Sequence, residues 1–252
     1  MQITRKTPQE VEAMRHSGRL LATVLATLRE AVQPGMTTKD LSELTKRELR
    51  GTGGQPTLLG YLGFPDVLCV SINDEIVHGV PSAKRVIRQG DIVSLDCCVT
   101  YDGMITDAAT SVIVGGEAPE KVKHLLRDTE AALQAGLAAV KDGVRVGDIS
   151  AAIEEVLKRG HYGIVRDLVG HGVGYEVHED PNVPNYGRKG TGPVLKSGMT
   201  IAIEPMATLG DFRVYIDVDG WTIKSNDRSL SAHFEHTVLV TDNGCEVLTQ
   251  IS

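Results

Sequence analysis

Several chemistries can be set aside because the chain lacks their parts. It has no Cys-x-x-Cys pair, no P-loop and no Gly-x-Gly-x-x-Gly run, and no Gly-x-Ser-x-Gly elbow that would present a serine nucleophile. Its cysteines are few: Cys69, Cys97, Cys98 and Cys245 in 252 residues. That is too sparse for a disulfide framework, and free thiols in the cytosol are the better reading. No apolar run approaches the ~18–20 residues of a membrane span. The opening Met1-Gln2-Ile3-Thr4-Arg5-Lys6 has no signal-peptide core. A cytoplasmic, non-membrane protein is therefore expected. Positive charge is also short, with 26 Lys and Arg against 33 Asp and Glu, for a formal charge of −7. That balance argues against nucleic acid or an anionic membrane as the main partner.

What remains is ordinary globular composition, 41% hydrophobic and 23% charged, over a length that one α/β domain can occupy. Thr7-Pro8-Gln9-Glu10 reads as a capping box with proline in the first turn. Val11, Met14, Gly18, Leu21, Leu25, Leu28 and Val32 then follow at spacings of three and four, one buried face of a helix that Pro34-Gly35 ends. Thr37 caps a second helix with Leu41, Leu44 and Leu49 inward. The plan recurs: Val122 to Val140 marks a long helix, Asp142-Gly143 stops it, and Ile149, Ile153, Val156 and Leu157 mark a shorter one.

The recurrence has a fixed offset. Val32–Leu41 aligns without gaps with Val140–Ile149, 108 residues on, and at the same offset Gly90–Asp96 falls on Gly198–Glu204. Two copies are too few for a solenoid. The pattern predicts one domain, 1–252, of two pseudo-twofold halves (roughly 1–115 and 116–252), each with a helix pair and strands.

Both halves end an apolar strand in a carboxylate, Asp96 and Glu204. Ile92–Thr100 and Met104–Val114 read as strands joined by Asp102-Gly103, a two-residue hairpin turn. In that register Tyr101 faces Met104 and Cys98 faces Asp107, so Asp96 is a diagonal neighbour of Asp107 on the same face. Glu235 sits in His233–Val240, which alternates and then becomes apolar and reads as one strand. Glu204 or Glu235 alone is equally at home as a solvated strand residue, whereas the apolar approach Ile92, Val93 and Leu95 argues against that reading for Asp96 and Asp107. Gathered together they repel, by about 3 kcal/mol per pair at ~5 Å and an effective dielectric near 20. They must then protonate or be neutralised by divalent metal.

Of eight histidines, His171 lies in Gly170-His171-Gly172-Val173-Gly174, where backbone and ligands can approach closely. His178 follows in Val177-His178-Glu179-Asp180-Pro181, and His78 ends a strand in Ile76-Val77-His78-Gly79. His233 and His236 flank Glu235 as candidate partners of a ligand. His16, His124 and His161 read as surface residues. One imidazole with four carboxylates is an oxygen-rich set that suits Mn²⁺, Fe²⁺, Co²⁺ or Zn²⁺ in a dinuclear centre, and not a thiolate-rich structural zinc site.

Taken together, His78-Gly-Val-Pro, Asp96 with Asp107, Gly170-His171-Gly-Val-Gly, His178-Glu-Asp-Pro, Ile203-Glu204-Pro-Met and His233-Phe-Glu235-His-Thr resemble the type I methionine aminopeptidases over nearly the whole chain. The resemblance implies the pita-bread α/β fold, with antiparallel strands around a central dimetal site. It implies Asp96, Asp107, His171, Glu204 and Glu235 as metal ligands, with Asp107 and Glu235 bridging. It also implies His78 and His178 as substrate-contacting catalytic groups, Glu204 as a proton shuttle, and a methionine pocket of Tyr61, Phe64, Cys69 and Trp221. The implied activity is hydrolytic removal of the initiator methionine, with a small second residue preferred. The implied partners are N-termini of nascent polypeptides near the ribosome, and the implied state is a monomer. The stretch between His178 and Glu204 lacks the long insertion of the type II enzymes, and no zinc-finger extension precedes the domain. Leu58, where the family often has Cys, and Val177, where an aromatic residue is frequent, depart from the commonest form. Both bear on pocket shape. The X-Pro-cleaving peptidases of the same fold are the enzyme alternative, expected to need an extra N-terminal domain. A binding module that has lost catalysis is the other, expected to lack ligands.

Overall fold

The computed structural model describes residues 3–251. Helix α1 (Pro8–Ala31) starts at the expected box: the Glu10 amide donates to Thr7 Oγ1 at 3.3 Å and the Thr7 amide to Glu10 Oε2 at 2.7 Å. It ends three residues before Pro34, which disfavours helical backbone in the residue preceding it. Val11, Met14, Gly18, Leu21, Leu25 and Leu28 are its buried stripe. Helices α2 (Thr38–Leu49), α3 (Glu120–Ala139) and α4 (Val146–Arg159) complete the two pairs.

The 108-residue offset recurs in the hydrogen bonds. Gly35 N–H donates to Ile87 O and Gly143 N–H to Leu195 O, each at 2.9 Å. Thr38 N–H donates to Arg85 O and Val146 N–H to Pro193 O, each at 3.0 Å. The helix starts correspond as well, with the Thr37 amide on Asp40 and the Arg145 amide on Asp148. Both turn glycines, Gly35 and Gly143, take positive φ (92° and 82°), which explains why glycine stands at each.

A nine-stranded antiparallel sheet joins the halves. Its spine runs from Gln55–Pro56 through Ile92–Tyr101, Met104–Ile113, Glu235–Val240, Thr200–Ile203 and Gly170–Gly172 to Glu179–Val183. The hairpin register is the expected one: Tyr101 opposite Met104 and Cys98 opposite Asp107, with positive φ at Asp102 and Gly103. Helix α1 packs on both hairpin strands. One core cluster combines α1 and α2 with the first half's strands, and another combines α3 and α4 with the second's.

One expectation fails. His233–Val240 is two strands, Ser231–His233 and Glu235–Val240, which belong to different sheets. The Phe234 amide leaves the ladder to donate to Pro205 O. His233 and His236, three residues apart, face different surroundings.

Candidate metal centre

The site assembles where the strands of the two halves meet. Asp107 comes from the hairpin, Glu235 pairs across from Ala109, and His171 stands on Gly170–Gly172, beside Thr200–Ile203. Ligand atoms of Asp107, His171 and Glu235 all lie within 4.8 Å of one another, and all three residues are buried. Glu204 is next: its Oε1 is 3.4 Å from His171 Nε2 and its Oε2 is 3.7 Å from His233 Nε2. Asp96 sits opposite Ala109, on the same hairpin face as Asp107, and shares the cavity lining with it. The five predicted ligands are therefore neighbours, three of them in the tightest group.

Burial sets the protonation. Desolvation comes first in raising Asp96, Glu204 and Glu235 well above the carboxylate range, and repulsion by the other acids adds to it. Asp107 is pushed up to about 6, again by burial, against the opposing pull of the Cys98 thiol and the Ala108 amide. Burial pushes His171 down to about 4, so its imidazole is neutral. With Nδ1 donating to Gly172 O at 2.9 Å, Nε2 keeps a free lone pair on the Glu204 side.

These donors fit divalent cations. Asp107 Oδ1 and Glu235 Oε1 are buried with no hydrogen-bond partner among the described residues, an arrangement that costs stability unless something else satisfies it. Four crowded carboxylates and a neutral imidazole are a hard-donor set for such ions. Asp107, Asp96, His171, Glu204 and Glu235 are the residues that would hold them.

Beside the acids lies a narrow cavity of about 100 Å³, walled by Leu58, Tyr61, Leu62, Phe64, Cys69, Cys98, Val177 and Trp221 and reached by His78 and His178. That is well under the ~300–1,000 Å³ of pockets that take whole ligands, and it suits a single side chain. The Phe64 and Trp221 rings meet edge to face at 5.2 Å. Tyr61 Oη is 2.9 Å from His178 Nδ1, and the His178 and His171 rings lie 4.4 Å apart. His78 follows its strand at φ 59°, a left-handed conformation uncommon outside glycine, and desolvation pushes it down to about 4.

The structure sorts the remaining histidines. His233 is buried against Glu204 and Glu235, with both ring nitrogens unpaired among the described residues. Burial first, and then His78, pushes it down to about 3. His236, the other expected neighbour of Glu235, instead places Nδ1 2.9 Å from Thr249 Oγ1. His124 and His161 are exposed, whereas His16 is half-buried with its ring 4.0 Å from that of Tyr101. Leu62, at φ 49°, lines the cavity without having been singled out in the sequence. An isolated leucine between glycines carries no periodic signal.

Residues 12–242 match the model of metallopeptidase family M24. The chain belongs to family M24. It is similar to a methionine aminopeptidase from Clostridium acetobutylicum, 43% identical over 97% of each chain. Among solved structures it superimposes on a methionine aminopeptidase from Thermotoga maritima with a TM-score of 0.97 and 45% identity, covering 99% of this chain and 100% of that one. An X-Pro aminopeptidase from the same organism shares the fold at a TM-score of 0.76, with 21% identity and with 98% of this chain covering 62% of that one. The architecture is thus the pita-bread fold of M24, a family of metal-dependent peptidases, and divalent metal is implied for this member.

Proposed function

We propose that this M24 peptidase is a methionine aminopeptidase that hydrolyses the bond after an N-terminal methionine. The observation that carries the reading is the meeting of the buried Asp107, His171 and Glu235 cluster, with Glu204 and Asp96 beside it, and a side-chain-sized apolar cavity. Two divalent cations, of Fe, Mn, Co or Zn, would be held by Asp96, Asp107, His171, Glu204 and Glu235, with Asp107 and Glu235 bridging. Such ions supply Lewis acidity, which makes water a nucleophile near neutral pH and polarises a carbonyl.

The protein's own residues do the rest. Tyr61, Phe64, Cys69 and Trp221 enclose an unbranched thioether, a soft group that makes favourable contacts with ring edges. With Tyr61 Oη donating to Nδ1, His178 carries its proton on Nε2. There it donates to the carbonyl oxygen as that atom gains negative charge. Glu204, ionised once a cation is bound beside it, would take a proton from the attacking water and pass it to the leaving amine. His78 stands near the scissile nitrogen. The entire chain acts as one catalytic domain of two halves, as a monomer in the cytoplasm, on N-termini emerging near the ribosome. No helix among the described residues is long and apolar enough to cross a membrane.

The test is activity against metal content. Chelator-stripped protein should lose cleavage of Met-Gly peptides and regain it on titration with each of the four metals, saturating by two equivalents. Full activity in rigorously metal-free protein would end the reading, and so would a preference for X-Pro peptides.

A further inference from the structure

Next to His178, the N-terminal segment makes a buried polar contact that the reaction as described does not use. Lys6 has no exposed side-chain surface, and its ammonium lies 2.7 Å from Glu179 Oε2. Thr4 Oγ1 accepts from the same ammonium at 2.5 Å and donates to the same carboxylate oxygen at 2.7 Å. The other oxygen of Glu179 accepts from the Tyr175 amide at 2.6 Å and the Glu176 amide at 3.2 Å. Glu179 thereby ties the 175–178 turn to its own backbone, and Lys6 ties Glu179 to the N-terminal segment. That segment is anchored in turn: Lys6 N–H donates to Gly198 O and Arg5 Nε to Ser197 O, both at 2.7 Å.

The glycine-rich stretch is shaped around this lysine. Gly174 has φ 147°, and a Cβ there would lie 2.3 Å from Lys6 Cε and 2.9 Å from Nζ. A side chain at this position would push the tip of the lysine aside. The ammonium also lies 4.4 Å from the centre of the Tyr175 ring. Glu179 faces Gly172 across the ladder, so the clamp grips the loop between His171 and His178. Glu179 opens the strand and His178 ends the turn before it, with the Glu179 side chain on Lys6 and the His178 ring on the cavity.

We propose that Lys6 is a positioning residue, which through Glu179 fixes the turn that aims His178 at the substrate carbonyl. The inference rests on the reading of His178 as a substrate-contacting donor. A neutral turn with no ammonium behind it would leave that ring free to drift, and a misplacement of about 1 Å at a reacting group is enough to cost about 10²-fold.

The experiment is a double-mutant cycle on Lys6→Met and His178→Ala, with kcat, KM and metal content measured on one Met-starting peptide. Lys6→Met should lower kcat by about tenfold or more, leaving metal content unchanged and KM within a few-fold. In the His178→Ala background it should cost no further turnover. Lys6→Met leaves Glu179 buried without its counter-charge, so Thr4→Val is run beside it. That variant removes one hydroxyl and no charge, and should show a smaller kcat loss that also vanishes without His178. Normal turnover in both folded variants overturns the inference, and so does a loss that persists undiminished in the His178→Ala background. Normal turnover in His178→Ala alone would instead overturn the role given to His178.

Discussion

Asp107→Asn should stabilise the metal-free protein while destroying the metal-loaded enzyme. Asp107 is buried among three other acids, and its carboxyl is pushed up to about 6, against 3.8 for a free side chain. A group whose folded-state pKa is raised contributes stability that is present below the unfolded value and lost as pH rises through the folded one. For Asp107 that window runs from roughly pH 4 to 6, and the gap between the two values corresponds to about 3 kcal/mol. Asparagine has nearly the same shape and no charge, so the loss disappears. It also gives up part of the hydrogen bonding from the Cys98 thiol and the Ala108 amide. The net gain at pH 7.5 should then be about 1–3 kcal/mol, or roughly 2–12 °C in Tm for a chain of this size.

The assay is thermal unfolding of chelator-dialysed wild type and variant at pH 4 and pH 7.5, repeated with Mn²⁺ or Co²⁺. At pH 4 the two metal-free proteins should melt nearly together. With metal the order should reverse at pH 7.5, because only the wild type keeps both carboxylates proposed to bridge the cations. A thousandfold excess of ligand over Kd adds about 4 kcal/mol. A metal-free variant that melts at or below wild type at pH 7.5 would refute the argument, as would a gap that persists at pH 4. Comparing variant with wild type at each pH cancels only the titrating groups remote from the site, because Asp96, Glu204 and Glu235 feel the Asp107 charge.

His171→Ala should weaken metal binding and abolish turnover, whereas His178→Ala should keep its metal and lose about 10²–10³-fold in kcat. Equal metal loss in both, measured by elemental analysis, would show the division of roles to be wrong. Gly18→Ala should lower stability by about 1–3 kcal/mol despite a better helix propensity, because its Cβ would sit 2.1 Å from Leu248 O. An unchanged Tm would mean that α1 shifts freely. Met-Ala and Met-Gly peptides should be cleaved well ahead of Met-Gln and Met-Lys. The protein should accordingly retain its own Met1 before Gln2, and an intact mass showing efficient removal in a host with no other such activity would contradict the size rule.

Local, periodic features were legible before any coordinates. The Asp102-Gly103 turn permits one register of the hairpin, and that register alone places Asp96 and Asp107 on one face. Helix starts were readable because a capping box is a four-residue pattern. What pattern could not carry is which sheet a residue belongs to. His233–Val240 keeps its apolar character through Phe234, and only the Phe234 amide's bond to Pro205 O breaks it. Strand alternation puts His233 on the face of Glu235 and His236 on the other, and the structure sends His233 to Glu204 and His236 to Thr249. Lys6 and Glu179 were invisible for a different reason. They are 173 positions apart, and each alone is an ordinary charged residue.

The duplication does more than describe the architecture: it accounts for where the acids meet. Asp96 and Glu204 are equivalent under the 108-residue offset, each at the end of an apolar stretch that begins at a positive-φ glycine, Gly90 or Gly198. Those glycines make matching bonds, Gly90 N–H to Val114 O and Gly198 N–H to Val240 O. The two strands are thus delivered by the same local chemistry, and pseudo-twofold packing directs their carboxylates toward a shared seam. Asp107 and Glu235 lie on the two neighbouring strands between them, one from each half. Each outer acid therefore has an inner one beside it. The proposal of two cations rests on this pairing of an outer with an inner acid in each half. Metal titration that saturates at one equivalent with Asp96 and Glu204 both indispensable would break this argument. Saturation at two, with Asp107→Asn weakening both steps, is what it requires.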